Sequence, residues 1–209
     1  MNETVNTPSM VIVDYGMGNL RSVQKGLEKV GVNAAISSNP EDVNNADGVV
    51  LPGVGAFRDC MSNLTRARLV DPVQNAIREG KPFLGICLGM QLLLSVSEEF
   101  GTHQGLDVIR GRVVRFPSTG GLKVPHMGWN RVHRDSPTPL LEGIPDGTFF
   151  YFVHSYYAVP QDADVIGGRT EYGIKFCSVI SRGNLFATQF HPEKSGDPGE
   201  KILSNFLKL

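Results

Sequence analysis

At 209 residues and 41% apolar content, the chain can bury a sizeable core, and its formal net charge of −1 comes with no basic tract of the kind nucleic-acid binding needs. No apolar run reaches membrane-spanning length, and residues 1–9 are polar, without the hydrophobic segment of a secretory signal. Three scattered cysteines, Cys60, Cys87 and Cys177, fit a reducing compartment and argue against a zinc site, so the expectation is a cytoplasmic chain with a polar extension over 1–9 and a single domain over 10–209.

The first predicted elements alternate. A strand over 11–14 runs into Tyr15-Gly16-Met17-Gly18-Asn19 and a helix over 20–30, with Asn19 as possible cap. Gly16 and Gly18 lack the third glycine of a dinucleotide fingerprint and no Walker lysine follows, so this turn reads as structural. A strand near 34–36 is followed by another over 49–51, which ends in Pro52-Gly53-Val54-Gly55. That loop is either a plain strand-end turn or a set of backbone donors whose small side chains let a substrate approach the main chain. A helical region over 57–79, interrupted at 69–72, leads to a strand over 83–86 and a helix over 88–94.

Gly85-Ile86-Cys87-Leu88-Gly89-Met90-Gln91 has the form of a nucleophile elbow, a sharp strand-to-helix turn that holds Cys87 outward between two glycines. The free N–H groups of a helix start there would favour a thiolate, and preorganised donors facing Cys87, with Leu88 N–H and the Gly53-Val54 peptide as candidates, would stabilise an oxyanion. The alternative is a buried core cysteine.

After Gly101 the texture changes to strand-like segments over 108–116, 148–152, 157–159, 164–169, 176–181 and 185–189, with a hairpin turn at Ser181-Arg182-Gly183-Asn184 and a closing amphipathic helix over 198–207. Residues 117–123 are the expected mobile loop. The fold class is therefore α/β: three layers, a mainly parallel central sheet flanked by helices, and antiparallel additions in the C-terminal half. In such sheets active sites gather at the carboxyl ends of strands, where Leu51-Pro52-Gly53 and Ile86-Cys87 both fall. Near the end of the chain, Gln189-Phe190-His191-Pro192-Glu193 supplies a proton carrier and a carboxylate to orient it. His126 and His154 lie in no ligand spacing, so neither a metal nor another cofactor is expected.

On the cysteine elbow and His191-Pro192-Glu193, the chain resembles the class I, triad-type glutamine amidotransferases. On Val11 to Val23, Pro52-Gly53-Val54-Gly55 and Pro125-His126-Met127-Gly128-Trp129-Asn130, it looks like the glutaminase subunits of imidazole glycerol phosphate synthase in that family. The resemblance implies that Cys87 attacks the side-chain amide of glutamine, that His191 protonates the departing ammonia, and that Glu193 orients His191. It also implies that Val54 N–H turns into an oxyanion hole formed with Gly53 and Leu88 when the partner binds its ligand. Gln91, four positions after Cys87 and on the same helix face, can pair with the amino-acid end of glutamine, with Glu99, Ser155 and Tyr156 as further contacts. Trp129, Asn130, Tyr151 and Lys194 would face the partner, a cyclase subunit in a heterodimer, although a lone tryptophan also suits a core. The amidotransferase subunits of pyridoxal phosphate, guanylate or anthranilate synthase, or a cysteine hydrolase or binding protein of similar fold, are the rival readings.

Overall fold

The computed structural model describes residues 9–117 and 122–209. Residues 1–8 of the expected extension, and 118–121 of the expected mobile loop, lie outside the described residues. The first half runs β1 (Met10–Val13), α1 (Leu20–Lys29), β2 (Ala35–Ser37), α2 (Pro40–Asn45), β3 (Gly48–Leu51), α3 (Phe57–Arg66), α4 (Val70–Arg78), β4 (Phe83–Ile86) and α5 (Leu88–Leu92). The second continues with β5 (Leu94–Ser97), β6 (His103–Gln104), β7 (Ile109–Arg115), β8 (His126–Arg134), β9 (Thr148–His154) and β10 (Tyr156–Pro160). It closes with β11 (Ile166–Glu171), β12 (Lys175–Arg182), β13 (Leu185–Thr188) and α6 (Gly196–Phe206).

Layering follows from strand alternation. Successive side chains leave opposite faces of a strand, so Met10 and Ile12 of β1 enter one core with Val50, Leu84 and Ile86, while Val11 and Val13 enter the other with Val49, Leu51 and Phe83. Helices α1 and α6 cover the first face through Val23, Leu27, Ile202, Leu203 and Phe206. Helices α3 and α4 cover the second through Phe57, Cys60, Leu64, Val73 and Ala76. Because both faces are covered, these strands read as continuous apolar runs.

The sheet order is β2-β1-β3-β4-β13-β12-β10-β7-β5-β6, with β11 pairing β12 and β8, and β8 pairing β9. Strands β2, β1, β3, β4 and β13 are mutually parallel, and β12 turns back antiparallel on β13 through the expected hairpin, where Gly183 takes φ 56°. Among the described residues no helix is long and apolar enough to cross a membrane.

Three local expectations are corrected. The helix expected over 88–94 stops at Leu92, because the carbonyls of Leu92 and Leu93 accept from Leu106 N at 2.8 Å and Ile109 N at 2.9 Å, and Leu94 pairs with Ile109. Asn19 does stand before α1, but its side chain makes no capping bond; its carbonyl accepts from Ser22 N at 3.1 Å and Val23 N at 3.2 Å. The break between α3 and α4 falls earlier, at 67–69, and Pro72 sits in the first turn of α4, where a missing N–H is harmless. The elements α2, β5, β6 and β8 have no counterpart in the sequence reading. Helix α2 starts on Asn39, whose side chain accepts from Glu41 N at 3.1 Å, and β8 owes its pairing to β9 from His126↔His154 to Val132↔Thr148.

Candidate active site

The parallel register brings three strand ends together: β3 lies beside β4 and β4 beside β13, with Leu51 opposite Gly85 and Ile86 opposite Thr188. Residues remote in sequence thereby converge, since Cys87 follows β4 immediately and His191 follows β13 by a few residues. Cys87 N donates to Thr188 O at 2.7 Å, pinning the turn to the neighbouring strand. The turn holds Cys87 at φ 55° and ψ −108°, a conformation that costs a non-glycine residue ~1–3 kcal/mol and clusters at functional sites. Its flanking glycines serve close packing. A Cβ on Gly89 would lie 1.8 Å from Leu51 O, and one on Gly85 would lie 3.1 Å from the Gly89 backbone.

His191 sits on the turn after β13. Its Nδ1 meets Glu193 Oε1 at 2.8 Å, with the Glu193 side chain only 1% exposed. Ser195 braces this turn: its hydroxyl donates to His191 O at 2.6 Å and accepts from Tyr151 N at 3.0 Å, while His191 N donates to Tyr151 O at 3.0 Å. Burial, the largest single effect, pushes the pKa of His191 down, but the adjacent Cys87 and then Glu193 outweigh it and raise it to about 10. Even so, no hydrogen bond joins the sulfur to the ring. Cys87 Sγ faces Val153 O at 4.0 Å, and His191 Nε2 has no partner among the described residues. In unliganded sites such bonds are often open and tighten on substrate binding.

Cys87 and His191 line a cleft of about 340 Å³, which is completed by Val54, Gly55, Leu88, Gln91, Glu99, Pro125, Val153, His154, Ser155, Tyr156 and Lys194. The cleft therefore gathers Cys87, His191, Val54, Leu88, Gln91, Glu99, Ser155, Tyr156 and Lys194 from the residues singled out in the sequence. Gly53 is buried behind the wall, where a Cβ would meet Tyr15 Oη at 2.6 Å. Glu99 Oε2 accepts from Phe57 N at 2.6 Å, so this carboxylate also caps α3. Leu88 is the first residue of α5, and its N–H has no intrahelical acceptor. Trp129, Asn130 and Tyr151 lie on β8 and β9 away from the lining, with Trp129 55% exposed and its ring 6.1 Å from that of Tyr151.

Several residues escaped the sequence reading. Tyr15 donates to Pro52 O at 2.7 Å and the Cys60 thiol to Val54 O at 3.5 Å, so the carbonyls on either side of Gly53 are tied down. Burial raises the pKa of Cys60 to about 11, keeping the thiol protonated as a donor. Gln189 is fully buried and points its Nε2 at Cys87 Sγ, 3.7 Å away. Two-residue spacing from His191 was the available clue.

A thiol on a strained strand-to-helix turn, an imidazole backed by a buried carboxylate, and an unused helix N–H beside them form an arrangement suited to acyl transfer through a covalent intermediate. The family described as glutamine amidotransferase class-I matches residues 11–209, and the chain belongs to it. Within that class it is similar to the imidazole glycerol phosphate synthase subunit HisH of Syntrophotalea carbinolica, 56% identical over 202 residues that cover 94% of this chain and 98% of the relative. The subunit of the same description from Methanosarcina acetivorans is 55% identical over 206 residues, covering 96% and 98%. Among solved structures, PurLQS from Thermotoga maritima shares the fold with a TM-score of 0.74 at 18% identity, covering 97% of this chain and 98% of that one.

Proposed function

We propose that this chain is the glutaminase subunit of an imidazole glycerol phosphate synthase. It hydrolyses the side-chain amide of glutamine to glutamate and ammonia and passes the ammonia to a cyclase subunit, which forms imidazole glycerol phosphate and an aminoimidazole carboxamide ribotide in histidine biosynthesis. Identity of 56% along nearly the whole chain to subunits of that description carries the reading.

In this reading Cys87 Sγ adds to the amide carbonyl of glutamine after giving its proton to His191 Nε2, the buried ring nitrogen that has no partner among the described residues. The tetrahedral oxyanion is held by Leu88 N–H and by the Gly53-Val54 peptide. His191 returns the proton to the amide nitrogen, the C–N bond breaks, and ammonia leaves a glutamyl thioester. Water, deprotonated by His191, then attacks the thioester, and glutamate departs as the thiol is restored. Glu193 keeps Nδ1 protonated and supports the positive charge that the ring carries between the two transfers.

Gln91, Glu99, Ser155 and Tyr156 hold the amino-acid end of the substrate. The partner covers Trp129, Asn130, Tyr151 and Lys194, on a face where Met127 and Phe149 are also exposed. All of this is carried by one domain over 10–209, and the site of action is the cytoplasm.

Glutamate release should be measured with the purified chain alone and with a cyclase subunit and its nucleotide ligand, using Cys87→Ala as blank. Strong activity only in the complete mixture, absent from the variant, is the expected result. Hydrolysis that ignores the cyclase would remove the histidine-pathway assignment, and activity surviving in the variant would remove the chemistry.

A further inference from the structure

Behind the substrate cleft, two buried polar side chains meet at one backbone oxygen, and each is bonded to a further buried polar side chain. Tyr156 O accepts from His154 Nδ1 at 2.8 Å and from Gln91 Nε2 at 2.9 Å. A carbonyl can only accept, so His154 carries its proton on Nδ1 and Gln91 turns its amide nitrogen inward. With Nδ1 protonated, neutral His154 has an acceptor at Nε2, and His126 Nδ1, 2.8 Å away, is the donor. His126 Nε2 in turn accepts from Asn130 Nδ2 at 3.2 Å, and the same amide also donates to Glu171 O at 2.9 Å. The result is a one-way chain from Asn130 through His126 and His154 to Tyr156 O, its polarity fixed at both ends by backbone carbonyls.

On the other side of the node, Gln91 Nε2 gives its second hydrogen to Gln189 Oε1 at 3.0 Å. Both donors of Gln91 are thus consumed. The polar atom it has left is Oε1, an acceptor, on a side chain that lines the cleft.

The rings are clamped. His126 lies between Tyr172, centroids 4.0 Å apart at 27°, and Phe152, 4.9 Å at 29°; His154 packs against Phe116 and Phe176, each at 5.2 Å. Burial lowers the pKa of His126 to about 4 and, with smaller opposing and reinforcing contributions from Tyr156 O, His126 and His191, that of His154 to about 3. Neutral rings are what the single polarity requires.

We propose that His126 and His154 are positioning residues. Their relay fixes the Tyr156 carbonyl, which holds the Gln91 amide in one orientation and leaves its oxygen to receive an N–H group of the bound substrate. This rests on the glutaminase reading above.

Nitrogen NMR of the intact chain with labelled imidazoles tests the relay directly: both rings should be neutral with the proton on Nδ1 from pH 5 to 8. Kinetics with the cyclase subunit present tests the positioning. His126→Leu removes the donor to His154, whereas His126→Asn replaces it with an amide N–H. The leucine variant should raise KM for glutamine about tenfold, with kcat within about threefold of the parent, and the asparagine variant should recover most of the loss. If the leucine variant does not fold, Asn130→Ala, at the partly exposed end of the relay, should raise KM about threefold and shift the His126 ring signals.

A proton on Nε2 of either ring, or titration near pH 6.5, overturns the relay. An unchanged KM in His126→Leu, or equal loss in the leucine and asparagine variants, overturns the positioning role. Failure of the parent chain to hydrolyse glutamine sinks the glutaminase reading instead, and the NMR result still judges the relay.

Discussion

The two walls of the cleft are built on different principles. One is made where the parallel strands β3, β4 and β13 end, and there backbone geometry sets the nucleophile's turn: Cys87 is strained, Gly89 packs against Leu51 O, and Cys87 N is tied to Thr188 O. The other is made by β9 and β10, where Val153, His154, Ser155 and Tyr156 face the site and side-chain hydrogen bonds set the orientation of a single carbonyl. Backbone-built walls tolerate no added atom, whereas a wall built from hydrogen bonds is sensitive to which donor or acceptor is removed and indifferent to side chains that contribute none.

The largest expected effect lies at the buried carboxylate that serves the first wall. Glu193→Gln should lower glutaminase kcat on the order of a thousandfold or more, since the ring loses both its orienting partner and the charge that stabilises it when protonated. The same substitution has a signature in stability. His191 is raised from 6.5 to about 10 on folding, so its protonation contributes stability that is fully present below pH 6.5 and is lost as pH rises toward about 10. Urea midpoints of the parent chain should fall across that window. The slope should be shallower in the variant; parallel slopes would show that Glu193 does not support the ring charge.

Gly89→Ala asks whether backbone contact rules the first wall. The added methyl would meet Leu51 O at 1.8 Å, and relief requires α5 to move off the sheet, so a loss of about 3 kcal/mol is expected in denaturant unfolding. A variant as stable as the parent would show that the elbow has slack.

Tyr15→Phe is smaller. It leaves Pro52 O buried without its 2.7 Å donor and should cost about 1 to 2 kcal/mol, with reduced kcat if the Gly53-Val54 peptide takes part in the oxyanion hole. Unaltered stability would mean that the loop is held by other contacts. Smallest of all should be Ser155→Ala on the second wall. Ser155 contributes its carbonyl, which accepts from Phe116 N at 3.1 Å, so stability should stay within about 0.5 kcal/mol. KM for glutamine should also hold; a large rise in KM would assign work to the hydroxyl.

How much was legible follows the same division. Strands β1, β3 and β4, and helices α1 and α6, were readable because each carries its own periodicity and turn residues, and the cysteine elbow because glycine spacing is local. Strand β8 was not readable: Gly128 and polar residues on both of its faces, Asn130 and Arg134 on one and Arg131 and His133 on the other, blur the alternation, and its partner β9 supplies what the segment lacks. The end of α5 was misread because leucine suits a helix, while pairing of Leu94 with Ile109 extended the chain. Gln189, Tyr15 and Cys60 carry no chemical signal that spacing alone reveals. Gln189 and Tyr15 matter through contacts with residues far along the chain, and Cys60 through the way the loop folds Val54 O back onto it.

By itself the sequence determined the alternating α/β frame, the single turn able to hold Cys87 outward, and the pairing of His191 with a carboxylate two residues on, because each depends on neighbours in the chain. Only the tertiary structure decided that Gly53 sits behind the cleft wall, that Glu99 also caps α3, and that His154 and Gln91 share one carbonyl with His126 bonded to His154 behind them. Hydrogen-bond polarity between distant buried groups depends on what faces what once the sheet has closed, and spacing along the chain does not encode that.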